Sequence, residues 1–334
     1  MRVLLTGCCG FIGSKVAEVI VREGHRVLGV DNLNDAYDVR LKEWRLARLR
    51  SLPGFAYVKL DITDLPAMTA LLRRHALDAV VNLAARAGVR QSVRNPWLYY
   101  DTNLTGTLNL LELCREREIP KFVLASTSSL YARGSRPFRE DQATDRPLSP
   151  YAASKKAAET LCHTSHCLFD LDVTILRYFT VYGPAGRPDM SIFRFIRWIA
   201  EEDPVRLYGD GSQERDFTFV DDVAEATLGA LKPLGYEVIN VGSDRPVRLL
   251  DVIATLEGLL GQRARLSRKP SHPADVQATW ADVGKARALL GWRPCTTLED
   301  GLDAAVRWYR ENRSWASSID LCDEAVGRVS DADR

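Results

Sequence analysis

The chain has 334 residues, 46% of them hydrophobic, which is enough apolar sequence for one large α/β domain or two smaller ones. Its 45 lysine and arginine residues balance 44 aspartate and glutamate residues, so no net charge favours nucleic acid or a membrane surface as a partner. We expect no cleavable leader and no membrane span, because no apolar run is long enough. Seven cysteines in no paired pattern favour a reducing cytoplasm.

The first 180 residues alternate short apolar runs with helical patterns, an order typical of a doubly wound parallel sheet. The runs are nearly continuous in apolar residues, as expected for strands that helices cover on both faces. We therefore predict an α/β fold whose first domain comprises residues 1–180. The predicted strands are Val3–Thr6, Arg26–Val30, Ala56–Leu60, Ala79–Leu83, Phe122–Ser126 and Val173–Leu176.

Beyond Val181 glycine, proline and charged residues become frequent, and we expect a smaller α/β substrate domain over residues 181–313. An apolar run at Val238–Val241 predicts a strand that returns to the main sheet, so a segment near 221–245 belongs with the first domain. Residues 314–334 are a polar tail without a motif. The predicted helices of this half are Ser191–Glu201, Asp222–Leu231, Leu249–Leu260 and Leu298–Arg310.

Three glycines follow the first predicted strand at a spacing that suits a bound pyrophosphate. Gly7, Gly10 and Gly13 form a GxxGxxG turn that leads into a helix beginning near Phe11, with Ile12 beside it. Glycine lets the backbone turn tightly and approach a pyrophosphate, whose charge then lies at the helix N-terminus. This context favours a Rossmann-type dinucleotide site over a strand-to-helix turn without a ligand.

The end of the second predicted strand indicates which dinucleotide binds. Asp31 is placed to accept hydrogen bonds from the adenosine ribose, and its carboxylate would repel a 2′-phosphate. Asn32 follows without an adjacent arginine, which also favours NAD over NADP. Asp61 and Ile62, after the third strand, are expected to flank the adenine.

Tyr151 and Lys155 form a YxxxK motif within a predicted helix, so their side chains lie on one helical face one turn apart. An adjacent ammonium and a nicotinamide cation would lower the pKa of a phenol from about 10 toward neutrality. Tyr151 could then act as a general base. Thr127, at the end of the apolar run FVLAS, could hydrogen-bond the reacting alcohol.

Five motifs in order carry a family resemblance: GCCGFIG, DN at 31 and 32, NLAA at 82 to 85, STSSLYA at 126 to 132 and YAASK at 151 to 155. From residue 1 to about 310 the chain resembles an extended short-chain dehydrogenase/reductase. The resemblance implies that Thr127 contacts the reacting hydroxyl, that Tyr151 is the base, and that Lys155 binds the nicotinamide ribose and lowers the tyrosine pKa. It also implies cofactor contacts from Leu83, Ala84, Ala85 and Tyr178.

Two segments narrow the reaction within this superfamily. Dehydratases that resemble this fold carry Asp and Glu after the active threonine, whereas this chain has Ser128 and Ser129, which cannot serve as carboxyl acid or base. Residues 83–103 and 177–190 resemble uronate 4-epimerases, members of the NAD-dependent nucleotide-sugar epimerases. Galactose 4-epimerases typically have Asn in place of Thr180 and lack the run that begins at Arg187.

A uronate carries a carboxylate where a hexose has a CH₂OH group, so the site should supply hydrogen bonds and positive charge there. We hypothesise that Thr180 and Arg187, with Ser128 and Ser129, surround this carboxylate. The alternative for Arg187 is an ion pair with Asp189 on a surface loop.

Three further residues are predicted to bind the substrate. Arg86 follows the NLAA motif. Arg215 resembles the family's diphosphate-binding arginine, the alternative being a surface ion pair with Asp216. Asp275, in HPADV, resembles the acidic residue that helps to hold the nucleotide ribose, although many relatives carry Gly where Ala274 stands.

The resemblance implies oxidation and reduction at C4 of a UDP-hexuronate, from UDP-glucuronate to UDP-galacturonate through a 4-keto sugar. NAD is regenerated in each turnover and is expected to stay tightly bound. The alternatives are a UDP-glucuronate decarboxylase, a UDP-glucose/galactose 4-epimerase, and a non-enzymatic NAD-binding regulator. The regulator should have lost the hydroxyl at 127, Tyr151 or Lys155, and all three are present.

Two further expectations concern partners and metals. The helices near Leu104–Glu116 and Ala152–Phe169 resemble those through which relatives dimerise, so we expect a homodimer. The group Cys162, His163, His166 and Cys167 lies in one predicted helix as two pairs on adjacent faces, so the four cannot converge on one ion. We therefore predict no metal site.

Overall fold

The protein is described by a computed structural model over residues 1–132, 134–270 and 276–322. Its first half forms a parallel sheet, which confirms the predicted fold class. Six strands come from this half, and a seventh is added by the second half of the chain. In chain order the six are β1 (Arg2–Thr6), β2 (Arg26–Asp31), β3 (Phe55–Lys59), β4 (Ala79–Asn82), β5 (Lys121–Thr127) and β6 (Asp172–Tyr178).

Strand β1 shows why the strand sequences are almost wholly apolar. Val3 and Leu5 face one hydrophobic core, while Leu4 between them faces a second core on the opposite side of the sheet. All three are fully buried, because helices cover both faces. The helices of this half are α1 (Phe11–Arg22), α2 (Val39–Arg50), α3 (Leu65–Leu72), α4 (Val89–Arg94), α5 (Pro96–Tyr100), α6 (Gly106–Glu116) and α7 (Pro150–Phe169).

The second half contributes two small sheets and most of the remaining helices. Its strands are β7 (Thr180–Tyr182), β8 (Val205–Tyr208), β9 (Glu214–Phe219), β10 (Tyr236–Val241), β11 (Pro246–Arg248) and β12 (Leu266–Lys269). The helices are α8 (Ser191–Ala200), α9 (Val220–Gly229), α10 (Leu249–Leu260), α11 (Gly284–Leu290), α12 (Leu298–Glu311) and α13 (Arg313–Ala316). Strands β11, β9 and β7 form one sheet, and β12 pairs with β8.

The chain between residues 220 and 241 returns to the first half. Helix α9 buries Val223 and Ala224 in the same core as Val16 and Ala17 of α1. Strand β10 then pairs in parallel with β6, so that the strand order of the main sheet is β10-β6-β5-β4-β1-β2-β3. A separate core forms between α8, α10 and α12. No helix within the described ranges is long and apolar enough to cross a membrane.

The strand order reverses direction at β1, which lies between β2 and β4. In a parallel sheet, ligands bind outside the carboxyl ends of the strands at such a switch point. The glycine turn, Asp31 and Thr127 all lie at or just beyond these carboxyl ends. The fold therefore brings the predicted motifs to one edge of the sheet.

Candidate active site

The glycine turn after β1 leaves space that a side chain at Gly7 or Gly13 would fill. Gly7 has φ +68°, and a Cβ there would lie 2.7 Å from the backbone nitrogen of Ala84. A Cβ on Gly13 would lie 2.1 Å from the carbonyl oxygen of Gly7. Helix α1 follows with Gly10 at its N-cap and no side-chain cap, which leaves its first N–H groups to an anion. These residues fit a bound pyrophosphate.

The carboxylates after β2 and β3 are held in place by hydrogen bonds. Asp31 accepts from the backbone N–H groups of Cys9 at 3.0 Å and Leu33 at 2.8 Å. The amide of Asn32 donates to Asp61 at 2.6 Å. Burial opposes ionisation of Asp61, but hydrogen bonds from Thr63 and Asn32 outweigh it and lower the pKa of the carboxyl group.

These groups line one cavity of about 340 Å³ that runs from the glycine turn to the start of α7. Every residue predicted to bind the cofactor lines it. They are Gly7, Gly10, Phe11, Ile12, Gly13, Asp31, Asn32, Asp61, Ile62, Leu83, Ala84, Ala85, Tyr151, Lys155 and Tyr178. The cavity therefore brings together residues that are spread over more than 170 positions of the sequence.

The start of α7 positions the tyrosine and the lysine. The Ser149 hydroxyl caps the helix by accepting from the N–H of Ala152 at 3.2 Å. One turn further on, the Lys155 ammonium donates to the carbonyl oxygen of Ala125 at 2.8 Å, which fixes it against β5. Burial lowers the pKa of Lys155 to about 8. Lys155 is therefore held at the cavity with a pKa near the physiological range.

In the protein without a ligand, the pKa of Tyr151 is higher than that of an ordinary phenol. Burial raises it, while a hydrogen bond with Thr127 and the charge of Arg187 act in the opposite direction without overcoming burial. The lowering toward neutrality expected from the sequence is therefore not supplied by the protein's own groups. Thr127, which we expect to contact the reacting alcohol, lies within hydrogen-bonding reach of the phenol.

A buried charged network supports this site from behind. Glu159, one turn after Lys155 on α7, pairs with Arg177 of β6, and both side chains are only 4% exposed. The Ser126 hydroxyl donates to the same carboxylate at 2.6 Å, and Arg177 also donates to the Tyr131 hydroxyl at 3.0 Å. The network ties α7 to the strand that carries Thr127.

A second cavity, of about 360 Å³, opens beside the first toward the small sheets. Ser128, Ser129 and Thr180 line both cavities, so the predicted carboxylate-binding hydroxyls lie where the two meet. Arg215 lines the second cavity and donates to the carbonyl oxygen of Glu214 at 2.8 Å. This second cavity therefore adjoins the one that Tyr151 lines.

Arg187 lines the first cavity, but its charge is already paired. Its guanidinium donates to Asp189 at 3.0 and 2.5 Å and to the carbonyl oxygen of Ala87 at 3.2 Å. Burial opposes its positive charge, and Asp189 outweighs burial, so the pKa of Arg187 is raised. The Arg187–Asp189 ion pair, which is the alternative to substrate binding by Arg187, is therefore present. It lies in the wall of the cavity and not on a surface loop.

Of two other predicted substrate residues, one lies elsewhere and the other lies outside the described residues. Arg86 lines neither cavity; its guanidinium is 4.0 Å from Asp35, and its charge lowers the pKa of Asp61, so it lies toward the β2 and β3 ends. Asp275 lies outside the described residues.

Three lining residues carry no sequence motif that would have identified them. Lys42 of α2 donates to the backbone and side chain of Asn34 at 2.8 and 2.9 Å, and burial lowers its pKa to about 8. Arg90 lies over the Tyr208 ring at 4.1 Å. Cys322 reaches the second cavity from the tail that we expected to carry no motif. Only the three-dimensional fold brings them to the site.

The cysteine and histidine pairs of α7 show no metal geometry. The Cys167 sulfur lies 3.6 Å from Nε2 of His163, whereas Cys162 is buried on another face. Among the residues that the structure describes, no group of three metal-binding side chains converges.

Fold and site together define an enzyme that binds a dinucleotide beside a tyrosine and lysine pair. A family model described as "NAD dependent epimerase/dehydratase family" matches residues 3–242. The chain belongs to this family.

Individual relatives agree with this assignment. A protein from Thermodesulfobacterium geofontis, named UDP-glucuronate 4-epimerase, is 54% identical over 95% of this chain and 98% of its own. A Bacillus cereus UDP-glucuronic acid 4-epimerase, solved with UDP-glucuronic acid and NAD, is similar with a TM-score of 0.88 and 38% identity over 93% of this chain and all of that one. A Thermotoga maritima UDP-glucose 4-epimerase with UDP-glucose gives 0.87 and 32% over 94% of this chain and 100% of its own.

Proposed function

We propose that the protein is an isomerase that interconverts UDP-glucuronate and UDP-galacturonate by NAD-dependent epimerisation at C4. The observation that carries this proposal is the meeting of the two cavities at Ser128, Ser129 and Thr180, next to Thr127 and Tyr151. One cavity fits a dinucleotide, and hydroxyl groups line the junction. The relatives named UDP-glucuronate 4-epimerase support the same sugar.

NAD would be held by the glycine turn, by Asp31 at the adenosine ribose and by Lys155 at the nicotinamide ribose. Bound NAD supplies the acceptor and donor of one hydride, so the protein itself need only move protons and position the sugar. The cavity extends from Gly13 to Tyr151, so residues along that extent would hold the cofactor. We therefore expect NAD to remain bound between turnovers.

Tyr151 is the group that takes the proton from O4 and returns it, with Thr127 holding the same hydroxyl by a hydrogen bond. Because burial raises the pKa of Tyr151, the proton stays on the phenol until positive charge in the filled site stabilises the tyrosinate. The charge of Arg187 already acts in this direction, and a bound nicotinamide cation would add to it, while the Lys155 ammonium is held against Ala125. Tyr151 therefore becomes able to act as a base when the site is filled.

The uronate carboxylate would lie against the hydroxyls of Ser128, Ser129 and Thr180. A 4-keto uronate is a β-keto acid, which loses CO₂ when the bond to its carboxylate aligns with the carbonyl π system. Hydroxyls that fix the carboxylate away from this alignment keep the reaction an epimerisation. Ser128 and Ser129 also exclude the acid and base roles that dehydration needs.

Arg187 is proposed to help position this carboxylate from within its pair with Asp189. We expect Arg187→Ala to raise KM for UDP-glucuronate or to lower kcat sharply while NAD content stays unchanged. Asp189→Asn is the matched variant, because it frees the guanidinium and should change KM in the opposite direction or leave it unaltered. An unchanged kinetic profile in Arg187→Ala would remove this residue from the site.

We also propose a homodimer and a cytoplasmic location. Helices α6 and α7 expose apolar side chains, namely Leu108, Leu168 and Phe169, which a second subunit could cover. All seven cysteines are free thiols, which suits a reducing compartment. Light scattering after size exclusion tests the dimer, and a clean monomer at micromolar concentration would contradict it.

The deciding experiment incubates the purified protein with UDP-glucuronate without added NAD and identifies products by anion exchange and mass spectrometry. A product of equal mass that matches UDP-galacturonate establishes the epimerase and its retained cofactor together. A product lighter by CO₂ makes the protein a decarboxylase. Turnover of UDP-glucose without turnover of UDP-glucuronate assigns a neutral hexose and removes the proposed roles of Thr180 and Arg187.

A further inference from the structure

After α13 the described chain continues through a turn at residues 317–319 and stays against the protein up to Cys322. We call residues 317–322 the C-terminal strap. Ile319 and Leu321 are 1% and 6% exposed and belong to the core formed with α8 and α12. Burial of two large aliphatic side chains fixes the path of the strap over the substrate half of the protein.

Two arginines of α8 hold the strap by its backbone. Arg194 donates to the carbonyl oxygens of Leu321 at 2.8 Å and Cys322 at 3.1 Å. Arg197 donates to the carbonyl oxygen of Ile319. Arg194 also lines the second cavity, so the strap sets the position of a cation in the proposed substrate site.

The other side of the strap is bound to the first half of the protein. Arg40 donates to the hydroxyl and the carbonyl oxygen of Ser318 at 2.8 and 2.9 Å. The N–H of Asp320 donates to Asp38 at 3.3 Å. Asp38 caps the start of α2 directly after Tyr37, which lines the dinucleotide cavity. The strap therefore connects the dinucleotide half to α8 across the cleft.

Cys322 at the end of the strap forms part of the wall of the second cavity, together with Asp189 and Arg194. Burial and the carboxylates of Asp189 and Asp320 raise the pKa of its thiol to about 11. The thiol is consequently neutral at physiological pH. The neutral thiol does not repel an anionic sugar nucleotide, and it does not form an ion pair with Arg194.

We propose that the C-terminal strap completes the substrate site by fixing α8 against the start of α2 and by supplying Cys322 to the cavity wall. This inference rests on the proposed binding of a UDP-sugar in the second cavity. Because one segment touches both halves, it sets the width of the cleft in which the sugar lies. Removing it should weaken substrate binding more than it affects retention of NAD, whose cavity the strap does not line.

The first test compares two truncated chains with the full chain. One ends after Ala316 and lacks the strap, and the other ends after Cys322 and keeps it. We expect the first to raise KM for UDP-glucuronate about tenfold, equivalent to about 1.4 kcal/mol, with NAD content unchanged. The second should match the full chain. Equal KM values for all three chains would overturn the proposal.

A second test does not depend on whether the shorter chain folds. Cys322→Trp keeps Ile319 and Leu321 in the core but adds bulk to the cavity wall, and Cys295→Trp is the control at an exposed cysteine outside the two cavities. We expect a raised KM and weaker UDP binding by calorimetry only for Cys322→Trp, at an unchanged Tm. Equal affinities in the two variants would overturn the proposal.

The two hypotheses can fail separately. Absence of turnover by the full chain with UDP-glucuronate counts against the proposed function. The ratio of UDP affinities between the truncated and the full chain tests the strap without any turnover. A ratio of one in a chain that binds UDP would refute the strap alone.

Discussion

The buried pair of Glu159 and Arg177 allows a stability prediction to be worked from geometry. Arg177 donates to the two carboxylate oxygens of Glu159 at 3.0 and 2.8 Å, and both side chains are almost inaccessible to water. Glu159→Gln keeps the size of the side chain but removes its charge. Among the described residues, the guanidinium would then keep two neutral partners, the hydroxyl of Tyr131 at 3.0 Å and a weak contact to a carbonyl oxygen.

Removing one partner of a buried pair costs about 3–5 kcal/mol, because the remaining charge stays buried without compensation. A glutamine amide can still accept one hydrogen bond, so we expect the lower end, about 3 kcal/mol. With an unfolding entropy of about 2.1 cal/mol/K per residue over 334 residues, a loss of about 3 kcal/mol should lower Tm by about 4 °C. The loss should also release Ser126, which precedes Thr127, so kcat should fall as well.

Urea unfolding followed by circular dichroism measures the free energy, with Asp303→Asn as the matched control. Asp303 pairs with Arg307 on α12 at 3.0 Å, but these side chains are 44% and 64% exposed. An exposed pair of this kind contributes less than about 1 kcal/mol. If Glu159→Gln unfolds within 1 kcal/mol of the control, the assumption that Arg177 needs a charged partner is wrong.

Three further predictions concern the cofactor and the base. Tyr151→Phe should lower kcat by about 10²–10⁴-fold, the usual contribution of general base catalysis, while absorbance of the purified protein shows unchanged NAD; retained turnover would assign the proton to another group. Because burial places the pKa of Lys155 at about 8, its ammonium loses charge as pH rises through that value, so NAD affinity should fall between pH 7 and 9. In Lys155→Met the affinity should be weak and independent of pH, and a parallel pH profile would exclude Lys155 as the titrating group. Gly13→Ala should purify without NAD, since its Cβ would lie 2.1 Å from a carbonyl oxygen, whereas Gly258→Ala, with open space around it, should retain the cofactor.

The sequence was sufficient for the features that depend on local pattern. Strands with two buried faces are rich in apolar residues, so β1, β4 and β5 could be located from their short apolar runs, although β5 also buries Lys121, Ser126 and Thr127. The glycine turn and the YxxxK pair could also be recognised from the sequence, because a single turn and a single helix determine their residue spacing. The predicted doubly wound fold is confirmed by the sheet and by the related structures.

Other features depend on contacts between distant segments and leave no local pattern. Strand β7 has only three residues, too few for a period to be recognised, and it is stabilised by pairing with β9. Lys42 and Cys322 are ordinary residues of a helix and a tail until the fold places them at a cavity. The partner of Arg187 could be named from the sequence, but whether the pair lay in the site could not.

The two cavities differ in a way that suits the proposed reaction. In the dinucleotide half, Gly7 and Gly13 leave no room for a side chain, and Lys155 is held by a backbone carbonyl. At the junction the protein presents hydroxyl groups, which can donate or accept in several directions by rotation about a single bond. An epimerase must bind one sugar in two orientations without releasing it. Fixed carboxylates or amides would favour one orientation, whereas the proposed contacts from Ser128, Ser129 and Thr180 would serve both at little cost.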